Sequence, residues 1–190
     1  MNDFQLYTKD TASPDAARLL SGLAAQIGFV PNVFAVLGGS PKTLEAFASM
    51  NAQFGACSLT AIEREIVQTA ISVANTCAYC VAGHTAFAEM QGLDTDALEA
   101  VRQGQGIDNP RHESLRKFAE ALNQTRGRDA GNELSEFLAA GYRKDQAFDV
   151  ILGIAIKTIS NLTSGITDIS LDQSFIPFTW SPSDDQSKAA

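Results

Sequence analysis

Apolar residues along most of the chain recur at the spacing of a helix and seldom alternate as strands do. Leu115, Phe118, Ala119 and Leu122 follow the i, i+3, i+4, i+7 rule that lines up one face of a 3.6-residue turn. Helix starts are written as a capping residue followed by proline in Ser13-Pro14, Ser40-Pro41 and Asn109-Pro110. Each supplies a side-chain acceptor and then a residue that needs no N–H partner. Thr60-Ala61-Ile62-Glu63 reads as a capping box, in which hydroxyl and carboxylate each satisfy an orphan backbone donor. Gly28, Gly55, Gly92 and Gly104 mark stops, because glycine enters the left-handed conformation that ends many helices. The stretch from Lys144 to Leu162 is apolar almost all round, with Phe148, Val150, Ile151, Ile154, Ile156 and Ile159. Such a helix belongs at the centre of a fold or in a subunit interface. The whole pattern predicts an all-α bundle of about seven or eight helices.

Size and charge narrow this picture. A chain of 190 residues supports one hydrophobic core, so residues 1–180 read as a single helical domain. Residues 181–190 are small and polar and read as a flexible C-terminal tail. Fourteen basic against twenty-two acidic side chains give a net charge of -8, which repels phosphate backbones and anionic headgroups. Arg126, Arg128 and the Arg143-Lys144 pair are too scattered to form a nucleic-acid stripe. Neither a nucleic acid nor a membrane is therefore expected as a partner. The opening Met1-Asn2-Asp3-Phe4 has no basic and apolar leader pattern, and the apolar run from Val150 to Ile156 is far short of the ~20 residues that cross a bilayer. A cytoplasmic setting is the expectation. Three cysteines in such a reducing setting cannot form a structural disulfide framework, so a close pair means redox chemistry, metal binding or coincidence.

That pair is Cys77 and Cys80, followed by His84. Residues three and four apart share a helix face, so the three side chains form one stripe. Asn75 and Thr76 are poor helix formers and good caps, which ends one helix near Asn75 and starts another near Cys77. The cysteines then occupy a first turn, where the partial positive charge of a helix N-terminus favours thiolate over thiol. His84 can take the proton of Cys80 or, once protonated, hold its thiolate. It lies nearly two turns from Cys77, so Cys80 is the expected nucleophile and Cys77 the resolving thiol.

The pattern Glu65, eleven residues, Cys77, two residues, Cys80, three residues, His84 resembles the alkylhydroperoxidase AhpD family within the carboxymuconolactone decarboxylase superfamily. Gly28-Phe29-Val30-Pro31-Asn32 followed by Ser40-Pro41 resembles that superfamily's upstream region, and Phe175-Ile176-Pro177-Phe178-Thr179-Trp180 is similar to the ending of its peroxidase-related members. The resemblance implies an oligomeric AhpD-like helical fold and a thiol-dependent peroxidase. Hydroperoxides would be reduced by the Cys77/Cys80 dithiol, with Glu65 and His84 as a proton relay. It also implies no bound cofactor but an external reductant, thiol or lipoyl, carried by a lipoylated or thioredoxin-like protein. Tyr79 stands where AhpD has a histidine between the cysteines, which removes one titratable group and points to weaker turnover or another substrate.

Other readings remain open at this level. Cys77, Cys80, His84 and Glu65 are all zinc-ligand types, although structural zinc more often staples loops than one helical stripe. A lyase or hydrolase of the carboxymuconolactone decarboxylase type needs no cysteine pair, and a non-catalytic helical oligomer would keep the motif as packing. Cys57 reads as a small buried hydrophobe, His112 as a surface residue, and Tyr79 as pocket lining or packing.

Overall fold

The computed structural model describes residues 4–183, and all regular structure among them is helical. The nine α-helices are α1 (Pro14–Ile27), α2 (Asn32–Leu37), α3 (Pro41–Gly55), α4 (Ala61–Ala74), α5 (Ala78–Met90), α6 (Asp96–Arg102), α7 (Pro110–Thr125), α8 (Gly131–Ala139) and α9 (Lys144–Thr167). Two of them, α2 and α6, span only six and seven residues, which accounts for the excess over the seven or eight expected. The tail expected at 181–190 lies outside the described residues from 184 onward.

The written helix starts act as their chemistry dictates, with one exception. Ser13 accepts from the Ala16 N–H, Asn109 from those of Arg111 and His112, and Thr60 and Glu63 close a reciprocal capping box. Ser40 instead pairs its hydroxyl with that of Thr43 at 2.8 Å, leaving Pro41 alone to shape the start of α3. Gly92 and Gly104 take positive φ, and the chain after each folds back on the last turn of α5 and α6. Gly55, by contrast, is the last residue of α3 itself, which closes through right-handed Ala56.

The centre of the bundle is α4 rather than α9. Ile66 through Val73 are buried without a break, and α4 packs against α3, α5, α6, α7 and α9. The 24-residue α9 is long and apolar enough to cross a membrane by length and composition, yet it lies along the bundle with Val150, Gly153 and Ile156 turned inward. A Cβ on Gly153 would sit 2.9 Å from both Phe54 and Val67, so this glycine lets α9 approach α3 and α4 closely. On the outer face of α9, Phe148, Ile151, Leu162 and Ile166 remain exposed.

Residues 169–180 return across α5 and include a 3-10 turn at Ile176–Phe178. Arg102 donates to the carbonyls of Phe178 and Thr179, and the Trp180 indole donates back to the Arg102 carbonyl. Phe175, 1% exposed, presses its ring against Gly83 of α5 and edge-on to Tyr79 and Phe87.

Candidate active site

The break between α4 and α5 sets the geometry of the cysteines. Asn75 ends α4, and Thr76 takes φ 51°, a left-handed conformation that strains a β-branched residue. The N–H groups of Thr76 and Cys77 then close back on the carbonyls of Val73 and Ser72 at 2.9 and 2.8 Å. Cys77 thus becomes the N-cap of α5, with Cys80 in its first turn. Both side chains are free thiols, 8% and 4% exposed, and hydrogen-bonded to one another.

The two sulfurs are electrostatically unequal. The hydrogen bond from Cys77 pulls the Cys80 thiol well below its ordinary range, and the nearby positive charge of Lys157 adds to this against the penalty of burial, with His84 contributing only when it is protonated. Cys77 is pushed up by donating that hydrogen bond and by burial. The structure thereby distinguishes an acidic sulfur, Cys80, from one held as a thiol.

His84 is reached by Glu65 from α4 as the motif spacing implied: Nδ1 lies 2.8 Å from Glu65 Oε2. Its other nitrogen, Nε2, hydrogen-bonds with Nζ of Lys157. The lysine supplies a donor there, so Nε2 accepts and the ring proton sits on Nδ1 facing the carboxylate. Burial first and Lys157 second lower the His84 pKa, which favours this neutral tautomer, although Glu65 opposes them. Gln91 steadies the free carboxylate oxygen of Glu65 at 3.2 Å. The expected direct partnership of His84 and Cys80 is therefore modified: both ring nitrogens are taken, and the cation facing Cys80 is the ammonium of Lys157. The structure thus brings His84 to Glu65 and Cys77 to Cys80, the four residues named from the sequence, and adds Lys157, 3% exposed on α9, which the sequence reading missed.

The same geometry weighs against the four-ligand zinc reading. A zinc ion at His84 would need a lone pair that Lys157 already occupies, and no group of three potential ligands is drawn together among the described residues.

Tyr79 pins the site to the rest of the fold. Its hydroxyl donates to Asp172 Oδ2 at 2.6 Å and accepts from the Val33 N–H at 3.1 Å, while Asp172 also accepts from the Asn32 N–H. Burial and this hydrogen bond push the phenol pKa up, so it is a neutral donor. Cys80, His84, Lys157 and Phe87 border an inner cavity of about 50 Å³, and Cys77 borders a separate cleft of about 400 Å³. Cys57 and His112 line neither.

Comparison with known proteins agrees with this architecture. Residues 41–121 match the carboxymuconolactone decarboxylase family. No curated protein matches the sequence. Among solved structures, the alkylhydroperoxidase AhpD core of a peroxidase-related protein from Ralstonia eutropha JMP134 is 22% identical, with a TM-score of 0.81 over 90% of this chain and 93% of that one. A peroxidase-related protein from Silicibacter sp. TM1040 is 18% identical, with a TM-score of 0.76 over 91% and 92%. The debrominase Bmp8 is 19% identical, with a TM-score of 0.74 over 86% and 89%. At these identities the likeness is one of fold. The segment 41–121, which holds Glu65, Cys77, Cys80 and His84, matches the carboxymuconolactone decarboxylase family, and the chain as a whole has the AhpD-like helical fold.

Proposed function

We propose that the protein is an oxidoreductase, a thiol-dependent peroxidase that cycles Cys77 and Cys80 between dithiol and disulfide. The observation that carries this reading is the geometry of the pair: two buried free thiols, with Cys77 donating its hydrogen bond to Cys80, beside the Lys157–His84–Glu65 chain. Cys80 thiolate attacks the terminal oxygen of the hydroperoxide and breaks the O–O bond. The departing oxygen leaves as an alcohol, or as water from hydrogen peroxide, after taking a proton from the Lys157–His84–Glu65 chain. Cys80 is then a sulfenic acid. Cys77 condenses with it, forming the disulfide and releasing water. Summed over both steps, two thiols and one hydroperoxide give one disulfide, one alcohol and one water.

The inner cavity of about 50 Å³ suits hydrogen peroxide better than a bulky organic hydroperoxide. No bound cofactor is needed. Electrons return from an external thiol or lipoyl reductant, either small or carried by a lipoylated or thioredoxin-like protein, in a cytoplasmic homo-oligomer.

One equivalent of hydrogen peroxide should convert the reduced protein to an intramolecular Cys77–Cys80 disulfide, read by mass spectrometry as a loss of two hydrogens. Cys77→Ser should stop at sulfenic or over-oxidised Cys80, and Cys80→Ser should not react at this pair. Sulfenic acid accumulating on Cys77 would reverse the assignment, and no oxidation at either residue would remove the peroxidase reading.

A further inference from the structure

The inner cavity beside Cys80 is walled largely by aromatic rings. Of the residues that border it, Asn51, His84 and Phe87 are half-buried and mark its outer side, whereas the others are buried. Phe175 is the one wall supplied by residues 169–180. Its ring lies over Gly83, three residues after Cys80 and one before His84, where a Cβ would stand 3.1 Å from the ring edge. Glycine at this position lets the ring come down onto the α5 backbone.

The ring is a fixed wall and not a lid. Phe29, Tyr79 and Phe87 meet it edge-on, with ring centroids 5.9, 5.7 and 5.4 Å away. Before Phe175 the segment is anchored by Asp172, which accepts from the Tyr79 hydroxyl at 2.6 Å and the Asn32 N–H at 3.1 Å, and by the Ser170 carbonyl, which accepts from Asn32 Nδ2 at 3.0 Å. After it, Arg102 donates to the carbonyls of Phe178 and Thr179. A buried ring so enclosed keeps one position in a close-packed interior.

The other large walls have different duties. Phe34 and Phe47 stack on one another at 4.8 Å where α2 packs on α3, and Tyr79 is held by its two hydrogen bonds. Phe175 comes from outside the bundle, so shortening it leaves the helices and the reactive groups where they are. A cavity of about 50 Å³ takes the two oxygens of hydrogen peroxide and has no room beside them for a tert-butyl or cumyl group.

We infer that Phe175 is the specificity-determining residue of the site, a size filter that admits hydrogen peroxide to Cys80 and turns away branched and aromatic hydroperoxides. The choice of substrates rests on the peroxidase reading above, and the filter itself rests on the cavity alone.

Two pairs of probes test it in the wild type and in Phe175→Leu. The first is hydrogen peroxide against cumene hydroperoxide, with Cys77–Cys80 disulfide formation followed in a single turnover. The second is iodoacetamide against N-benzyliodoacetamide, with thioether formation at Cys80 read by mass spectrometry. The alkylating pair shares one reacting carbon and one leaving group, and it needs no peroxidase chemistry. Relative to free cysteine, the wild type should prefer the smaller member of each pair about 100-fold or more. Phe175→Leu should narrow each preference about 10-fold, at the low end of what a change in pocket size is worth. Each ratio is taken within one variant, so a general loss of folding cancels. Phe175→Met serves where the leucine variant does not fold. Phe118→Leu, which shortens a core ring that does not border this cavity, should leave both ratios as they are in the wild type.

A wild type indifferent to probe size would overturn the filter, as would an equal shift in Phe118→Leu. In a protein that reacts with hydrogen peroxide, either ratio unmoved by Phe175→Leu overturns it too. A protein inert to both hydroperoxides, whose alkylation preference still falls in Phe175→Leu, removes the peroxidase reading and leaves the filter standing. Inertness to hydroperoxides together with an unmoved alkylation ratio overturns both.

Discussion

Lys157 is the residue that most changes what the cysteines can do. It sits 3% exposed beside Cys80 and hydrogen-bonds with His84, so its charge acts across a poorly solvated space. Lys157→Met keeps the length of the side chain and removes that charge. Cys80 should then titrate closer to an ordinary thiol, and its alkylation at pH 6–7 should slow about tenfold for each unit by which the pKa rises. An unaltered alkylation profile would show that Lys157 does not act on Cys80. The same substitution has a stability signature. In the wild type the native Cys80 pKa lies below that of the unfolded chain, about 8.5, so its contribution is complete above that value and is lost as pH falls through the native pKa. Urea unfolding of the reduced proteins should show this loss on acidification in the wild type and a flatter profile in Lys157→Met. The lysine escaped notice in the sequence because one charge in an apolar stretch reads as a solvent-facing position. Its helical register carried a signal, since Lys157 is seven residues from Val150 and four from Gly153, on the face that α9 buries. Cys77, Cys80 and His84 needed no such register, because they lie within eight residues of one another.

At the scale of elements, the site depends on how firmly α5 is held at its start. Tyr79 ties that first turn to Asp172, 93 residues later, and to the start of α2. Tyr79→Phe leaves a buried carboxylate and the Val33 N–H each short of a partner, and should cost about 1–3 kcal/mol. Chemical denaturation reads the cost, and a change within ±0.5 kcal/mol would show the hydrogen bond to be dispensable. The break between α4 and α5 was legible, because Asn75-Thr76 is a poor continuation of any helix and the capping box at Thr60 fixes the other end of α4. The role of Tyr79 was not, since nothing local announces a partner so distant in sequence. The brevity of α2 and α6 likewise hides them, as fewer than two full turns cannot display a period.

At the scale of the whole molecule, Phe148, Ile151, Leu162 and Ile166 on the outer face of α9 leave apolar surface exposed in the single chain. The proposed homo-oligomer would cover it, and sedimentation should give a multiple of 20.2 kDa that Phe148→Glu combined with Ile166→Glu reduces. A mass of 20.2 kDa at every concentration would rule out the oligomer. The family segment, residues 41–121, carries Glu65, both cysteines and His84. Lys157, whose charge acts on Cys80, Asn161, which lines the cleft beside Cys77, Asp172, which holds Tyr79, and Phe175, which borders the inner cavity, all come from the chain beyond it. The reactive warhead and its housing are thus encoded in separate stretches of the polypeptide. Drift in α9 and the closing segment can retune acidity, admission and electron donor while the motif stays letter for letter the same, so two proteins that share the motif need share neither fuel nor quarry.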